Sequence, residues 1–233
     1  MTPANALDVS RAVESLGFAI LPDGLRPNEI TLLLESLADL ESRRSRAGIR
    51  HLLGHPSVGA VARDSRLLTI AQNVLGDAAF PFRATLFDKS PDSNWLITWH
   101  QDTALPLQEK RDTPGWGPWS VKEGVTYAHA PASALSQVVA LRLHLDDSND
   151  QNGPLRVLPG THNQGVLSDD AVLQLSRERP AIDCLVPSGG VLAMRPLLVH
   201  ASSKSQIEAP RRVLHIEYAA TPFIADGLQL AIA

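Results

Sequence analysis

Between residues 82 and 220 the apolar and β-branched residues come in short runs, several of them alternating, spaced by turn signals rich in Gly, Pro, Asn, Asp and Ser, and this punctuation restricts the fold more than any other feature. Strict alternation marks strands with one buried face. The runs fall at 82–87, 94–100, 138–145, 155–158, 182–186, 191–194, 198–200 and 212–220, with turn signals such as Asn152-Gly153-Pro154 and Pro159-Gly160 between them. Many short strands spaced by turns imply a double-sheet barrel or jelly roll.

Helical spacing is concentrated at the start. After a polar opening stretch, Gly17-Phe18-Ala19-Ile20-Leu21-Pro22 reads as a short strand. Pro27 and Glu29 suit the first turn of a helix whose apolar face is Ile30, Leu33, Leu34, Leu37 and Leu40. Two shorter helical patterns follow at 57–63 and 67–75, the second stopped by Gly76, and a small helix is expected at 169–177. Such helices would flank the barrel.

With 233 residues and 44% hydrophobic content, one domain with a substantial core is expected. Within it, 1–80 would be N-terminal support, 81–220 the barrel, and 103–134 an insertion on the substrate side. A net charge of -4 gives no reason to expect nucleic acid or an anionic membrane as partner. Cys184 stands alone, so an intramolecular disulfide and a Cys-based zinc site are excluded. There is no arginine-flanked apolar leader at Met1 and no apolar run near the ~20 residues of a membrane span, so a soluble, cytoplasmic protein is expected.

The chemistry concentrates in Trp99-His100-Gln101-Asp102. On a strand, His100 and Asp102 share a face while Gln101 points away. An imidazole and a carboxylate so placed are two ligands of a metal site, and a second imidazole would complete the two-His-one-carboxylate set that suits non-haem Fe(II). The strand at 138–145 sets Leu141, Leu143 and Leu145 against Arg142 and His144, as a cavity wall would. From 103 to 134 periodicity disappears among prolines and glycines, yet Trp116, Trp119 and Tyr127 argue against disorder, so a pocket wall is expected. The basic stretch Arg43, Arg44, Arg46 and Arg50 is either a solvated segment or a lid. Arg83 and Lys89 are expected as solvated strand-edge charges. His51 and His55 resemble a helical metal pair, but Gly54 and Pro56 argue against it. His129 and His144 stay unassigned, and His162 is expected in a loop.

Taken together, His100-Gln101-Asp102, the run from Asn152 to His162, and His200 followed eleven residues later by Arg211 resemble the phytanoyl-CoA dioxygenase family of Fe(II)- and 2-oxoglutarate-dependent oxygenases. The resemblance implies a double-stranded β-helix, cupin-like, with the N-terminal helices packed on one sheet. It implies His100, Asp102 and His200 as iron ligands, Arg211 and Ser202 as partners of the distal 2-oxoglutarate carboxylate, and Arg142 beside the cosubstrate in a position whose identity varies. Arg212 is the rival of Arg211. Face favours the first, since Arg211, Val213, His215 and Glu217 alternate with Leu214, Ile216 and Tyr218.

The implied reaction consumes O2 and 2-oxoglutarate, releases succinate and CO2, and hydroxylates an unactivated C–H bond of a small-molecule metabolite. Related halogenases lack the carboxylate ligand, so Asp102 argues against that branch. Two alternatives remain open: a zinc-dependent hydrolase using the same triad, and a non-catalytic binding protein on the same barrel. A hydrolase has no need of a carboxylate clamp at the position of Arg211. Trp116, Trp119 and the arginines suit an anionic substrate with an apolar body.

Overall fold

The structure is a computed structural model that describes residues 3–43, 48–90, 93–225 and 227–233, without the side chains of 3–7 and 41–43. Six helices are described: α1 (Pro3–Leu16), α2 (Pro27–Leu37), α3 (Pro56–Ala62), α4 (Ser65–Leu75), α5 (Ala132–Leu135) and α6 (Asp169–Glu178). The opening stretch, read from the sequence only as polar, is helical. Val9 and Val13, one turn apart, give it a buried face.

The strands are β1 (Phe18–Leu21), β2 (Phe80–Lys89), β3 (Ile97–His100), β4 (Ala104–Leu107), β5 (Trp119–Lys122), β6 (Val125–His129), β7 (Val138–His144), β8 (Leu155–Val157), β9 (Ile182–Cys184), β10 (Val191–Met194), β11 (His200–Ser202), β12 (Arg211–Ala219), β13 (Phe223–Ala225) and β14 (Leu228–Gln229). Two antiparallel sheets form the double-stranded β-helix, one in the order β1-β10-β7-β12-β2 and the other β3-β11-β8-β9. This is the mainly β jelly roll that the alternating runs imply.

Alternation explains how the five-stranded sheet serves two interiors. Leu141, Leu143, Val191, Ala193, Leu214, Ile216 and Tyr218 join Val13, Ile30, Leu33, Val58 and Leu67 of the helices in one buried cluster. The next residues along, Ala140, Leu192 and Met194, meet Leu155, Val157 and Cys184 of the other sheet. Each fully buried Leu or Ile contributes roughly 1.5–3 kcal/mol, so the helices are anchored by apolar burial. Polar contacts set their placement: Asp64 caps α4 by accepting from the Arg66 backbone N–H at 2.9 Å. The Arg66 guanidinium spans to Glu29 of α2 at 2.7 and 2.9 Å.

The stretch 103–134, expected to lack regular structure, carries a third sheet in the order β4-β6-β5. Its strands of four or five residues are too short for alternation to stand out in sequence. Leu105, Leu107 and Ala128 bury against Phe82, Leu135 and Leu228. No described helix is long and apolar enough to cross a membrane.

Candidate active site

β3 and β11 pair antiparallel with His200 directly opposite His100. Their imidazole centroids lie 4.2 Å apart. Asp102 follows two residues after the end of β3, where its backbone N–H donates to Pro196 O at 2.9 Å. Between them Gln101 points away and ties the turn down: its amide donates to Leu197 O at 2.7 Å and Gly165 O at 3.0 Å, and accepts from Leu167 N–H at 2.8 Å.

This leaves the Asp102 carboxylate 3.7 Å from His100 Nε2 and 3.6 Å from His200 Nε2. One ligand atom from each of the three lies within 4.8 Å of the others, and among the described residues no other group of three His, Cys, Asp or Glu side chains does this. The Nδ1 atoms face the backbone carbonyls of Thr98 and Leu198, each at 2.8 Å. Donation from Nδ1–H there leaves both Nε2 lone pairs free for a metal. Burial pushes the His200 imidazole down to about 4 against the pull of Asp102, so it is neutral and able to coordinate. Burial acts to raise the Asp102 carboxyl, but His200, His100, His215 and Arg83 outweigh it and hold the group ionised, below the usual carboxylate range. Two imidazole nitrogens and one carboxylate oxygen, with no thiolate, are a donor set suited to Fe(II).

A hollow of about 270 Å³ opens beside this triad. On one side lie Arg211 and Ser202. Arg211 Nη2 donates to Ser202 Oγ at 3.2 Å and Nε to Asn152 O at 3.2 Å, while Ser202 Oγ donates to Gly153 O at 2.9 Å. Arg212 takes the other face, gripping Asp146 through Nε and Nη2 at 2.8 Å each. Arg142 reaches the hollow from β7, with Nη1 3.1 Å from His215 Nδ1 and its guanidinium over the Phe87 ring.

Lys89 joins them, contrary to the expectation of a solvated edge charge. It sits opposite Arg211 in register, is 1% exposed, and donates from Nζ to Ser202 Oγ at 2.8 Å and to Ser203 O. Arg83 is likewise turned inward and pairs with buried Glu217. The reason is the length of β2: Arg83, Thr85, Phe87 and Lys89 recur at every second residue and all line the hollow. That period-two pattern was the signal in the sequence.

No ion pair to an acid is found for Lys89, Arg142 or Arg211 among the described residues. Burial, with Arg211 and Arg142 nearby, pulls the Lys89 ammonium down to about 7. Burial with Arg142 lowers Arg211 to about 10. Three cations lacking a carboxylate make this side of the hollow a receptor for an anion.

Gly153 shapes that receptor. Its φ is +67°, and a Cβ there would come within 2.3 Å of Ser203 O, beside the carbonyl that holds Ser202. Gly153→Ala is expected to cost about 1–3 kcal/mol of stability and to weaken anion binding by shifting Ser202. Thermal unfolding together with calorimetry of 2-oxoglutarate binding checks both effects.

The opposite wall comes from the third sheet and the 48–55 segment. Tyr127 is buried, with its hydroxyl 2.9 Å from His51 Nε2, its ring 5.0 Å from Lys122 Nζ and 5.5 Å from the Arg83 guanidinium. Arg50 pairs with Glu123 at 3.3 Å. Of the expected lid arginines, Arg50 therefore faces the hollow, while Arg44, Arg46 and the Arg43 side chain lie outside what is described. Trp116 and Trp119 pack against the apolar cluster behind the third sheet and do not line the hollow, whose indole is Trp95. His129 meets Thr103, and His162 meets Glu14 O. His144 is buried, neither ring nitrogen is hydrogen-bonded among the described residues, and it does not line the hollow.

Residues 13–213 match the family described as phytanoyl-CoA dioxygenase. The chain belongs to the phytanoyl-CoA dioxygenase family. It is 24% identical over 180 residues to an L-proline trans-4-hydroxylase of Streptomyces griseoviridis, covering 65% of this chain and 59% of that protein. It thus spans less than two thirds of that relative. Among solved structures it is similar to EctD from S. alaskensis with 2-oxoglutarate and 5-hydroxyectoine (TM-score 0.69, 17% identity, 94% of this chain and 76% of that one). It is also similar to the epimerase SnoN in complex with Fe3+, α-ketoglutarate and nogalamycin RO (TM-score 0.70, 16% identity, 94% and 84% coverage). At these identities the structural likeness establishes the phytanoyl-CoA dioxygenase type of double-stranded β-helix.

Proposed function

We propose that this protein is an Fe(II)- and 2-oxoglutarate-dependent dioxygenase that hydroxylates a C–H bond of a small-molecule metabolite, with residues 1–233 acting as one oxygenase domain. The observation that carries this reading is the pairing, around one hollow, of a two-His-one-carboxylate triad with a buried cluster of cations that lacks its anion. When bound, Fe(II) and 2-oxoglutarate supply O2 activation coupled to decarboxylation of the cosubstrate to succinate and CO2. His100, Asp102 and His200 would hold the metal through two imidazole nitrogens and one carboxylate oxygen.

Arg211 presents a planar fork to the distal carboxylate of 2-oxoglutarate, and Ser202 and Lys89 add donors to the same group. Fixing that end sets the register of the 2-oxo acid at the triad. Arg142 adds positive charge along the cosubstrate. A hydrolase that used the triad to activate water would leave this cationic cluster without a role. The reading is tested by titrating 2-oxoglutarate into the anaerobic Fe(II) protein, then following succinate release over a metabolite panel with O2 and ascorbate. Retained metal affinity with no 2-oxoglutarate binding would overturn it.

Lys89 makes the binding pH-dependent. In the free protein its ammonium titrates at about 7, facing Arg211 on β12, Arg142 on β7 and the Ser202 hydroxyl on β11. A dianion binds the protonated form better. Affinity for 2-oxoglutarate is therefore expected to be highest below pH 7 and to weaken by up to about tenfold per pH unit above it. Lys89→Met should flatten this dependence, read by calorimetry from pH 6 to 9. The stability of the ligand-free protein runs the other way, rising between about 7 and the ordinary lysine range, because there the unfolded chain binds the extra proton.

A further inference from the structure

The far end of β7 and the turn after it collect buried polar atoms that the surrounding residues leave unmet. Among the described residues, Arg142 Nε, both ring nitrogens of His144 and Ser148 Oγ are enclosed without a hydrogen-bond partner. His144 is 0% exposed and Ser148 3%. An unmet polar atom in a dry interior is destabilising, so buried polar groups without a protein partner are the usual seats of internal water.

Strand register places these atoms on one side of the sheet. Arg142 and His144 are two residues apart on β7 and share its inner face. β12 sets His215 opposite Arg142 and Val213 opposite His144, which makes Arg211 the diagonal neighbour of His144, within reach of a long side chain. Along the other edge of β7, the His144 carbonyl accepts from Gly189 N–H at 2.8 Å and its N–H donates to Gly190 O at 2.9 Å. A Cβ on Gly190 would meet Val186 Cγ1 at 2.6–3.0 Å range, printed as 2.8 Å, and Val186 bridges Ser148 through backbone hydrogen bonds of 2.8 and 3.0 Å. His144 and Ser148 therefore flank the same valine.

Donor and acceptor chemistry matches them. Burial, with Arg142 and Arg211 nearby, pushes the His144 imidazole well below its ordinary range, so the ring is neutral and carries one N–H and one lone pair. A guanidinium has donors only. One water that accepts from Arg142 Nε–H and donates to the His144 lone pair satisfies both groups. The remaining ring N–H and the Ser148 hydroxyl are a donor and an acceptor for each other or for a second water. At its other end the Arg142 guanidinium has Nη1 3.1 Å from His215 Nδ1 and rests on the Phe87 ring, so a held Nε would fix its plane where it lines the hollow.

We propose that His144 is a positioning residue for the cosubstrate, acting through an internal water that ties its ring to Arg142 Nε. This rests on the oxygenase reading above and adds to it a residue that touches neither metal nor cosubstrate, since His144 does not line the hollow. A histidine kept neutral beside buried cations serves the orientation of a guanidinium better than it serves the packing of the sheet.

The test is a double-mutant cycle on 2-oxoglutarate binding, by calorimetry on the anaerobic Fe(II) protein, with thermal unfolding of each ligand-free variant. His144→Leu is expected to weaken 2-oxoglutarate by about fivefold or more and to leave Tm unchanged or higher, because a buried polar group gives way to an apolar one. His144→Gln, which keeps a donor and an acceptor, should restore most of the affinity. Beside Arg142→Met, the effect of His144→Leu on affinity should vanish. Water relaxation dispersion on the ligand-free proteins should show fewer long-lived internal waters in His144→Leu than in the wild type. The proposal is overturned if His144→Leu binds 2-oxoglutarate as the wild type does, whatever its Tm, or if its loss persists undiminished beside Arg142→Met. Equal losses in His144→Leu and His144→Gln, or unchanged internal water, would overturn it too. Absence of 2-oxoglutarate binding to the wild type would instead count against the oxygenase. The relaxation comparison of wild type, His144→Leu and Arg142→Met needs neither metal nor cosubstrate and would still decide whether these two residues hold a water between them.

Discussion

His200→Ala is expected to lose tight Fe(II) binding and to reduce 2-oxoglutarate turnover by roughly three orders of magnitude or more, since a bound metal supplies several kcal/mol of stabilisation to the reaction. The side chain is 3% exposed and lies directly across from His100 on the paired strand. Asp102→Ala should do the same. It also removes the charge that opposes the effect of burial on His200. Metal content after dialysis against Fe(II), together with succinate release, reads both effects. A variant that kept stoichiometric iron and full succinate formation would remove the triad from the mechanism. Chelation of the wild type should reproduce the loss, and added Fe(II), not Zn(II), should reverse it.

Arg211→Met should weaken 2-oxoglutarate by about 30-fold or more, because truncating one partner of a buried charge pair costs about 2–5 kcal/mol. Its effect on the ligand-free fold has the opposite sign. Arg211 is buried without a carboxylate partner among the described residues, so an apolar replacement of similar length is expected to leave Tm unchanged or higher. Arg212→Met is the control. Arg212 grips Asp146 on the other face of β12, in a part-exposed pair, and its loss should cost up to about 1 kcal/mol and leave 2-oxoglutarate affinity intact. Calorimetry and thermal unfolding on the two variants separate these outcomes. If Arg212→Met abolished binding while Arg211→Met did not, the assignment of faces on β12 would be wrong.

Much of this was legible because strand periodicity is local. The alternation at 211–218 distinguishes the two arginines, and the period of two separates His100 and Asp102 from Gln101. What went unread had weak or misleading local signals. Arg83 and Lys89 carry charges that normally face water, and only the full length of β2 shows that their face is the inner one. The helix at Pro3–Leu16 interleaves its apolar residues with Asn5, Asp8, Ser10, Arg11, Glu14 and Ser15, and Val9 and Val13 become informative only once α4 lies against them. Trp116 and Trp119 were expected to line a pocket wall but serve the core behind the third sheet, since an indole satisfies burial equally well in either place.

The chain's own order of residues determined the class of fold and the family and singled out the candidate metal donors, because side-chain alternation and donor chemistry are properties of short stretches. Only the tertiary structure decided which cations share the hollow and which of them lack a carboxylate. That depends on contacts between strands far apart in sequence, such as Lys89 with Ser202 and Arg50 with Glu123. Whether a buried charge is neutralised is set by what packs against it in space, and no local pattern records that.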